Sequence, residues 1–223
     1  MKFVNSINTA LDKILTNHED VILYGEDLLD PYGGAFKATK GLSTKFPNRV
    51  LATPISEAAI IGIAGGMAIG GLRPIVEIMF GDFIMLGADQ LLNHLLKYEW
   101  MYDDKVKVPV TIRTTMGGRR GYGPTHSQSL EPILQSMPGI KIVSPTYYHN
   151  PEKLLEHTVL SEPGIKVFCE YKMNYSKLLI NEKNCIEGLS IDYSVGPYPI
   201  AYLSNSDFED PEILIVSHGG NAI

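Results

Sequence analysis

The sequence has little of what marks several large classes of protein. Its 223 residues include only two cysteines, Cys169 and Cys185, and neither stands at metal-ligand spacing from the other or from a histidine. This favours a reduced, cytoplasmic setting. The formal net charge of −6 argues against binding nucleic acid, because neutralising phosphates requires a basic face.

Long hydrophobic runs are also absent. The longest apolar stretch, 58–72, has 15 residues and ends at Arg73-Pro74, which is short of the roughly 20 residues that span a bilayer. The first ten residues include Asn5, Ser6, Asn8 and Thr9, so they lack the apolar core of a signal peptide. We therefore expect no membrane insertion.

What is present is an alternation of short apolar runs with helical patterns. The predicted strands are 21–24, 74–79, 106–114, 140–143 and 165–169, and the predicted helices are 3–17, 57–70, 83–101, 129–137 and 151–160. Ser56 and Asp82 stand where they could cap the second and third of these helices. The strand runs do not alternate strictly, which is typical of strands buried on both faces. The pattern predicts an α/β fold with a mostly parallel central sheet and helices on both faces.

The strand and helix pattern covers only the first part of the chain. Residues 1–175 carry the α/β pattern, whereas 176–210 carry little pattern and are interpreted as a linker. Residues 213–216 are again a run of branched apolar residues typical of a buried strand, but no helix follows them. We therefore expect 211–223 to be the truncated start of a second, C-terminal α/β domain.

Glu57 is the most informative residue for function. It precedes the glycine-rich apolar stretch 58–72, and no basic residue lies within five positions of it. A poorly solvated carboxylate needs a hydrogen-bond donor or carries a raised pKa. A cofactor ring with a protonatable nitrogen would be such a donor. The alternative is an ordinary acidic residue in the first turn of a helix, where the helix dipole favours it.

Two further features point to chemistry less specifically. His126 follows a glycine-rich loop, a setting suited to proton transfer, although a histidine satisfied by backbone groups fits equally. Phe80 and Phe83 flank a predicted strand end, where two core aromatics are the simpler interpretation. The loop around Arg119-Arg120 could bind phosphate but lacks the Lys-Ser/Thr pair of a P-loop.

A set of short motifs, in a fixed order, resembles a known family. The motifs are Gly25-Glu26-Asp27, Tyr32-Gly33-Gly34, Thr53-Pro54-Ile55-Ser56-Glu57, Gly71-Leu72-Arg73-Pro74, Asp82-Phe83, Asp89-Gln90, Lys107-Val108-Pro109, His126-Ser127-Gln128-Ser129-Leu130-Glu131 and Pro138-Gly139. From residue 3 to about 172 the chain resembles the pyrimidine-binding domain of beta subunits of thiamine-diphosphate-dependent 2-oxo acid dehydrogenases, within the transketolase-like superfamily.

The resemblance implies roles for individual residues. Glu57 matches the glutamate that hydrogen-bonds the aminopyrimidine ring nitrogen of thiamine diphosphate, and Phe83 matches the aromatic residue that stacks on that ring. His126 matches a histidine that assists acyl transfer to the lipoyl group or holds substrate. The residues that match the remaining lining of the ring are Ile55, Met79 and Leu86. The implied activity is oxidative decarboxylation of a 2-oxo acid.

The sequence also departs from the family pattern. Leu86 stands where pyruvate-type members usually carry glutamine, and Arg119-Arg120 replaces a more glycine-rich loop. The Gly-Asp-Gly motif that holds magnesium and diphosphate is missing, because Gly81-Asp82 is followed by Phe83. The resemblance therefore implies an alpha-type partner subunit that holds the magnesium, a dimer of this chain within an α2β2 assembly, and a lipoyl acyltransferase as a further partner.

Two alternatives stay open at this point. A split transketolase-like carboligase would use the same half-site on a sugar phosphate, with Arg119 and Arg120 binding the phosphate. A truncated, non-catalytic paralogue would act only as a scaffold, although such a protein has no use for Glu57, Phe83 and His126 together.

Overall fold

A computed structural model describes residues 1–181, 185–205 and 213–221. The helices are α1 (Phe3–Asn17), α2 (Leu42–Lys45), α3 (Glu57–Ile69), α4 (Leu96–Met101), α5 (Glu131–Gln135) and α6 (Pro151–Leu160). The strands are β1 (Val21–Gly25), β2 (Val50–Ala52), β3 (Arg73–Ile78), β4 (Thr111–Met116), β5 (Lys141–Val143), β6 (Lys166–Tyr171), β7 (Leu189–Tyr193) and β8 (Ala201–Asn205). Short 3-10 turns span Gly81–Gly87, Pro124–His126 and Gly219–Asn221, and a π-helical turn spans Gln90–Leu95.

Six strands form one parallel sheet in the order β2-β1-β3-β4-β6-β5. Successive residues of its strands point to opposite faces, so Leu23 and Ile75 enter one apolar core while Tyr24 and Val76 enter the other. Helices α1 and α6 cover the first core, and α3 and α5 cover the second. The predicted α/β class with a parallel central sheet is confirmed.

Helix α3 is apolar around its whole circumference, and its glycines allow close packing. A Cβ atom on Gly65 would lie 3.0 Å from Leu95 Cδ1 and 3.2 Å from Tyr98 Cε2, so a side chain at this position would crowd the neighbouring helical segment. This close approach offsets the helix propensity that glycine loses, about 1 kcal/mol relative to alanine. The side chain of Ser56 makes no capping hydrogen bond, contrary to the sequence prediction.

The predicted helix over 83–101 is wrong as one continuous helix. Residues Gly81–Gly87 form a 3-10 turn, a π-helical turn follows, and regular α-helix begins only at Leu96. At Gly87 a Cβ atom would lie 2.4 Å from Ile61 Cδ1 and 3.2 Å from the Glu57 carbonyl oxygen. The segment is thus pressed against the start of α3, and this tertiary contact overrides the helical periodicity.

Other boundaries differ because of proline or strand length. The predicted strand 106–114 begins only at Thr111, since Pro109 has no N–H to donate to a sheet. Helix α5 is shorter than the predicted 129–137 and carries a proline in its first turn. Strand β2 was not predicted, because three residues give too little pattern to recognise.

The predicted linker over 176–210 contains ordered structure. Strands β7 and β8 pair antiparallel, with Ile191 opposite Leu203, and Ile191 is buried in the core shared with α1 and α6. The Tyr193 hydroxyl donates a hydrogen bond to the Tyr148 carbonyl oxygen at 2.5 Å. The hairpin is therefore packed on the sheet domain, and the interpretation of its residues as linker is wrong; 182–184 and 206–210 lie outside the described residues.

The predicted buried strand at 213–216 is not formed. The four side chains are 78 to 84% exposed, and the backbone joins no sheet. A strand needs a neighbour for its hydrogen bonds and an apolar surface for its side chains, and the described residues supply neither here. The start of a second domain at 211 stays a prediction, and 211–212 and 222–223 lie outside the described residues. None of the helices in the described ranges has both the length and the apolar character needed to cross a membrane.

A buried ammonium at the amino end of β6 makes stability depend on pH. Lys166 is fully buried and donates one hydrogen bond, at 3.0 Å, to the Glu162 carbonyl oxygen. Burial lowers its pKa from 10.5 to about 7, opposed by the Glu162 carboxylate and reinforced by Lys141 and Arg73. Below pH 7 folding therefore carries the full cost of burying a charge that the unfolded chain keeps in water.

We expect replacement of Lys166 with methionine to stabilise the chain most below pH 7. Between pH 7 and 10.5 the unfolded chain binds more protons at this lysine than the folded chain, so the wild-type free energy of unfolding rises with pH through this window. The advantage of Lys166→Met should shrink over the same window. Denaturant unfolding of both proteins across this range measures it, and a difference independent of pH would contradict the assignment.

Candidate active site

The candidate site lies where the parallel strands end. The sheet order reverses between β1 and β3, and ligands of open α/β sheets bind at such a reversal, outside the carboxyl ends of the strands. Gly25 at the end of β1 pairs with Ala52 and with Glu77. The residues that follow β1, β2 and β3 are thus brought to one edge, and they include Glu57 and Phe83.

Glu57 is the first residue of α3, and its side chain is buried, with 5% of the residue exposed. No hydrogen-bond donor or cation pairs with its carboxylate among the residues that the structure describes. The amino end of the helix favours a negative charge at this position. That contribution is small, however, and leaves the carboxylate able to accept a hydrogen bond from a ligand.

Glu26 is a second buried carboxyl group at the same edge; the sequence puts it at the carboxyl end of a predicted strand, where open α/β sheets bind ligands, but indicates no role for it. It follows β1 directly and is 3% exposed, and its Oε1 has no hydrogen-bond partner in the described part of the chain. Burial raises the pKa of Glu26 to about 7, reinforced by the charges of Glu57, Asp27 and Glu77 and opposed by a hydrogen bond from the Met79 N–H. Its position at the end of a parallel strand was the available signal.

Aromatic rings form the wall beside these carboxyl groups. Phe80 is buried at the centre, with the His126 ring 4.7 Å and the Phe83 ring 6.1 Å from it, and the His126 and Phe83 centroids are 5.1 Å apart. All three contacts are edge-to-face, a favourable geometry for aromatic pairs. The core interpretation is therefore right for Phe80, whereas Phe83 and His126 are only half-buried. Tyr122 extends the wall, 5.5 Å from Phe80.

A hydrogen-bonded loop carries His126 to this position. The Asp82 carboxylate accepts hydrogen bonds from the Gln128 backbone N–H at 3.2 Å and from its side-chain amide at 2.9 Å. Asp82 thus ties the histidine loop to the end of β3 and does not cap a helix, as the sequence had suggested. The Thr125 hydroxyl lies 2.9 Å from His126 Nδ1, which leaves Nε2 free of an intrachain partner among the described residues.

The other three predicted ring contacts lie at the edge of this wall. Met79 is half-buried, but Ile55 and Leu86 are 76% and 62% exposed. Phe83 and Leu86 share one side of a 3-10 turn, because residues three apart eclipse one another in that geometry. Ile55 and Leu86 therefore present apolar surface that this chain leaves uncovered.

A cluster of charged side chains is buried among β3, β4 and β6, next to the candidate site. Arg113 donates to Glu170 through Nε at 2.7 Å and Nη2 at 2.9 Å, and to Glu77 through Nη1 at 2.8 Å. The Tyr175 hydroxyl donates to the second Glu170 oxygen at 2.6 Å. Burial raises the pKa of Glu77, while the Arg113 guanidinium lowers it. The sequence analysis missed this cluster.

Comparison with known proteins identifies the family. Residues 1–177 match the family model "Transketolase, pyrimidine binding domain". The chain is 34% identical over 224 residues to the beta subunit of acetoin:2,6-dichlorophenolindophenol oxidoreductase from Cupriavidus necator, covering 96% of this chain and 62% of that protein. It is 36% identical over 176 residues to the beta subunit of 2-oxoisovalerate dehydrogenase from Bacillus subtilis, covering 78% and 53%.

The solved structures agree on the fold. A split-gene transketolase, described as an inactive beta4 tetramer, superposes with a TM-score of 0.61 at 17% identity, over 82% of this chain and 55% of that one. At this identity the likeness supports the fold and nothing more specific.

The fold and the family match define the class: the chain belongs to the transketolase pyrimidine-binding domain family. Within that class it is similar to beta subunits of dehydrogenase complexes, so the resemblance drawn from the sequence motifs is confirmed. The chain spans about half to three-fifths of the length of these relatives.

Proposed function

We propose that this chain is the beta subunit, or its pyrimidine-binding part, of a thiamine-diphosphate-dependent 2-oxo acid dehydrogenase. The observation that carries the proposal is Glu57, a residue only 5% exposed at the carboxyl edge of the sheet, whose carboxylate has no intrachain donor in the described residues. The names of the relatives, two beta subunits of oxidoreductases, support the same class.

The residues present fit the aminopyrimidine half of thiamine diphosphate. A protonatable ring nitrogen needs a buried acceptor, which Glu57 supplies, and a flat heterocycle needs an aromatic neighbour, which the half-exposed Phe83 supplies. Met79, Ile55 and Leu86 add apolar surface around the same position. When bound, the cofactor supplies the electron sink for decarboxylation.

The two carboxyl groups take different roles in this proposal. Burial, reinforced by the charge of Glu57, raises the pKa of Glu26 to about 7, so about half of the Glu26 side chains carry a proton at neutral pH. The Glu57 carboxylate is the group that accepts the hydrogen bond from the protonated ring nitrogen. His126, with Nε2 free of intrachain partners in the described residues, orients substrate or assists acyl transfer to the lipoyl group.

The exposed residues at the site edge support a shared site. Ile55 and Leu86 would be covered by an alpha-type subunit, which we propose holds the diphosphate and its magnesium. A dimer of this chain and a lipoyl acyltransferase complete the proposed assembly.

Reconstitution with an alpha-type subunit, thiamine diphosphate and magnesium tests the proposal. We expect the complex to reduce an artificial electron acceptor when given a 2-oxo acid, and this chain alone to show no such activity. Turnover of a ketose phosphate instead would favour the transketolase-like alternative. A complex that binds thiamine diphosphate but acts on neither substrate would favour the scaffold.

A further inference from the structure

One buried cation beside the candidate site has no role in the proposed function so far. Lys172 directly follows β6, so it lies at the same edge of the sheet as the carboxyl groups and the aromatic wall. Its side chain is fully buried, and its Nζ has no hydrogen-bond partner among the residues described by the structure. No carboxylate of the described chain forms an ion pair with it. A buried ammonium in this condition is costly, which points to a missing anion.

The position of Nζ connects this cation to the site. It lies 5.3 Å from the centroid of the Phe80 ring, and Phe80 is the ring that also contacts His126 and Phe83. A cation over an aromatic face is stabilised, but less than the loss of water destabilises it. The cation–π contact therefore offsets only part of the free-energy cost of burying the ammonium.

The charges around Lys172 leave room for an added anion. Asp82 faces it from the turn after β3; the Oδ1 of Asp82 accepts hydrogen bonds from Gln128, and its buried Oδ2 has no hydrogen-bond partner and forms no ion pair with Lys172 among the described residues. Arg120 faces it from the glycine-rich loop with the same sign of charge, and His126 lies across Phe80. Burial lowers the pKa of Lys172 to about 8, opposed by Asp82 and reinforced by Arg120. The positive charges of Lys172 and Arg120 would both attract an incoming carboxylate.

We propose that Lys172 is the anion-recognition residue of this site, where its ammonium binds the carboxylate of the substrate and selects 2-oxo acids over uncharged hydroxyketones. This inference rests on the proposed function and deepens it. Sequence reasoning missed Lys172 because a single lysine after a strand carries no pattern.

Steady-state kinetics of the reconstituted complex test the inference. For Lys172→Met we expect the KM for pyruvate to rise about tenfold or more, the effect of losing a charge-assisted hydrogen bond, with kcat less affected. The KM for acetoin, which is uncharged, should not change. Lys172→Arg should retain the preference for the acid. Lys105→Met, at an exposed position in the loop before β4, is the matched control and should behave as wild type.

A pH profile separates recognition from a structural role. The ammonium is the binding form, so kcat/KM for pyruvate should fall as the pH rises through the pKa of Lys172, about 8. The fall should be absent in Lys172→Arg, whose guanidinium stays charged. An unchanged profile in that variant, or equal losses for pyruvate and acetoin in Lys172→Met, would overturn the inference.

A binding measurement on the reconstituted complex, without thiamine diphosphate, needs no turnover. NMR of labelled lysine side chains should show the pKa of Lys172 rising when pyruvate is added, and not when acetoin is added. No rise with pyruvate would overturn the inference even if the complex is active. If the complex turns over no 2-oxo acid, the proposed function is wrong, and the titration still decides whether Lys172 binds the anion.

Affinity measurements distinguish the substrate from two other anions as the partner of Lys172. A weaker affinity of Lys172→Met for thiamine diphosphate, with the KM for pyruvate unchanged, would assign the ammonium to the cofactor's diphosphate. A weaker affinity for the alpha-type subunit, again with KM unchanged, would assign it to a partner carboxylate. Either result would overturn the inference.

Discussion

Replacing Glu57 with glutamine is expected to lower turnover of the reconstituted complex at least about 100-fold, the range found when a general acid–base group is removed. The amide has nearly the same shape, so packing at the start of α3 should survive. What it loses is the negative charge that would hold a proton on the cofactor's ring nitrogen. Steady-state assays of the reconstituted complex with a 2-oxo acid measure the loss of turnover.

The stability of the Glu57→Gln chain separates the two interpretations of this residue. If Glu57 served only the helix dipole, the variant would lose about 0.3–1 kcal/mol of stability and keep its activity. We expect the opposite result: the free energy of unfolding should be nearly unchanged, and turnover should be lost. Glu19→Gln, at an exposed carboxyl group away from the site, is the control and should retain activity. Substantial turnover in Glu57→Gln would show that the assigned role is wrong.

Replacing Arg113 with methionine is expected to destabilise the chain by about 3–5 kcal/mol, because removing one partner of a buried ion cluster leaves the others uncompensated. Both Glu77 and Glu170 would remain buried without their common cation. Equilibrium unfolding in denaturant measures the change. Lys105→Ala, which removes an exposed ion pair with Asp103, should cost no more than about 1 kcal/mol.

The sign of the pH dependence checks this account of the cluster. Without Arg113, nothing opposes the effect of burial, which raises the pKa of Glu77 above that of the unfolded chain. The folded state then binds more protons than the unfolded state, so stability falls as the pH rises through and above the range where unfolded glutamate titrates. Arg113→Met should therefore lose less stability in acid than at neutral pH. A loss that is equal at both would mean that packing, not charge, explains it.

The parts of the fold that follow from the sequence are those with strong local pattern. A sheet with a core on each face imposes continuous apolar runs on its strands and a periodic apolar face on its helices. The elements predictable for this reason are helices α1 and α6, strands β1 and β3, and the parallel sheet. The burial of Glu57 was predictable for a related reason, since its apolar, glycine-rich surroundings leave it nothing charged to pair with.

The remainder depends on contacts between distant segments. The break in the helix over 83–101 follows from the contact between Gly87 and Ile61. The raised pKa of Glu26 follows first from its burial and then from nearby carboxyl groups, of which Glu57 and Glu77 are distant in sequence. The Arg113 cluster joins single residues of three strands. The hairpin of β7 and β8 was missed because its strands mix polar and apolar residues. Each of these needs a spatial neighbour that local periodicity does not reveal.

The most direct test of the central claim is a crystal structure of the chain assembled with an alpha-type subunit and thiamine diphosphate. We predict that the Glu57 carboxylate lies at hydrogen-bond distance, about 2.6–3.2 Å, from the pyrimidine ring nitrogen, with the ring against Phe83. A Glu57 side chain turned to bulk solvent or paired with a lysine, with the pyrimidine ring bound elsewhere, would contradict the account.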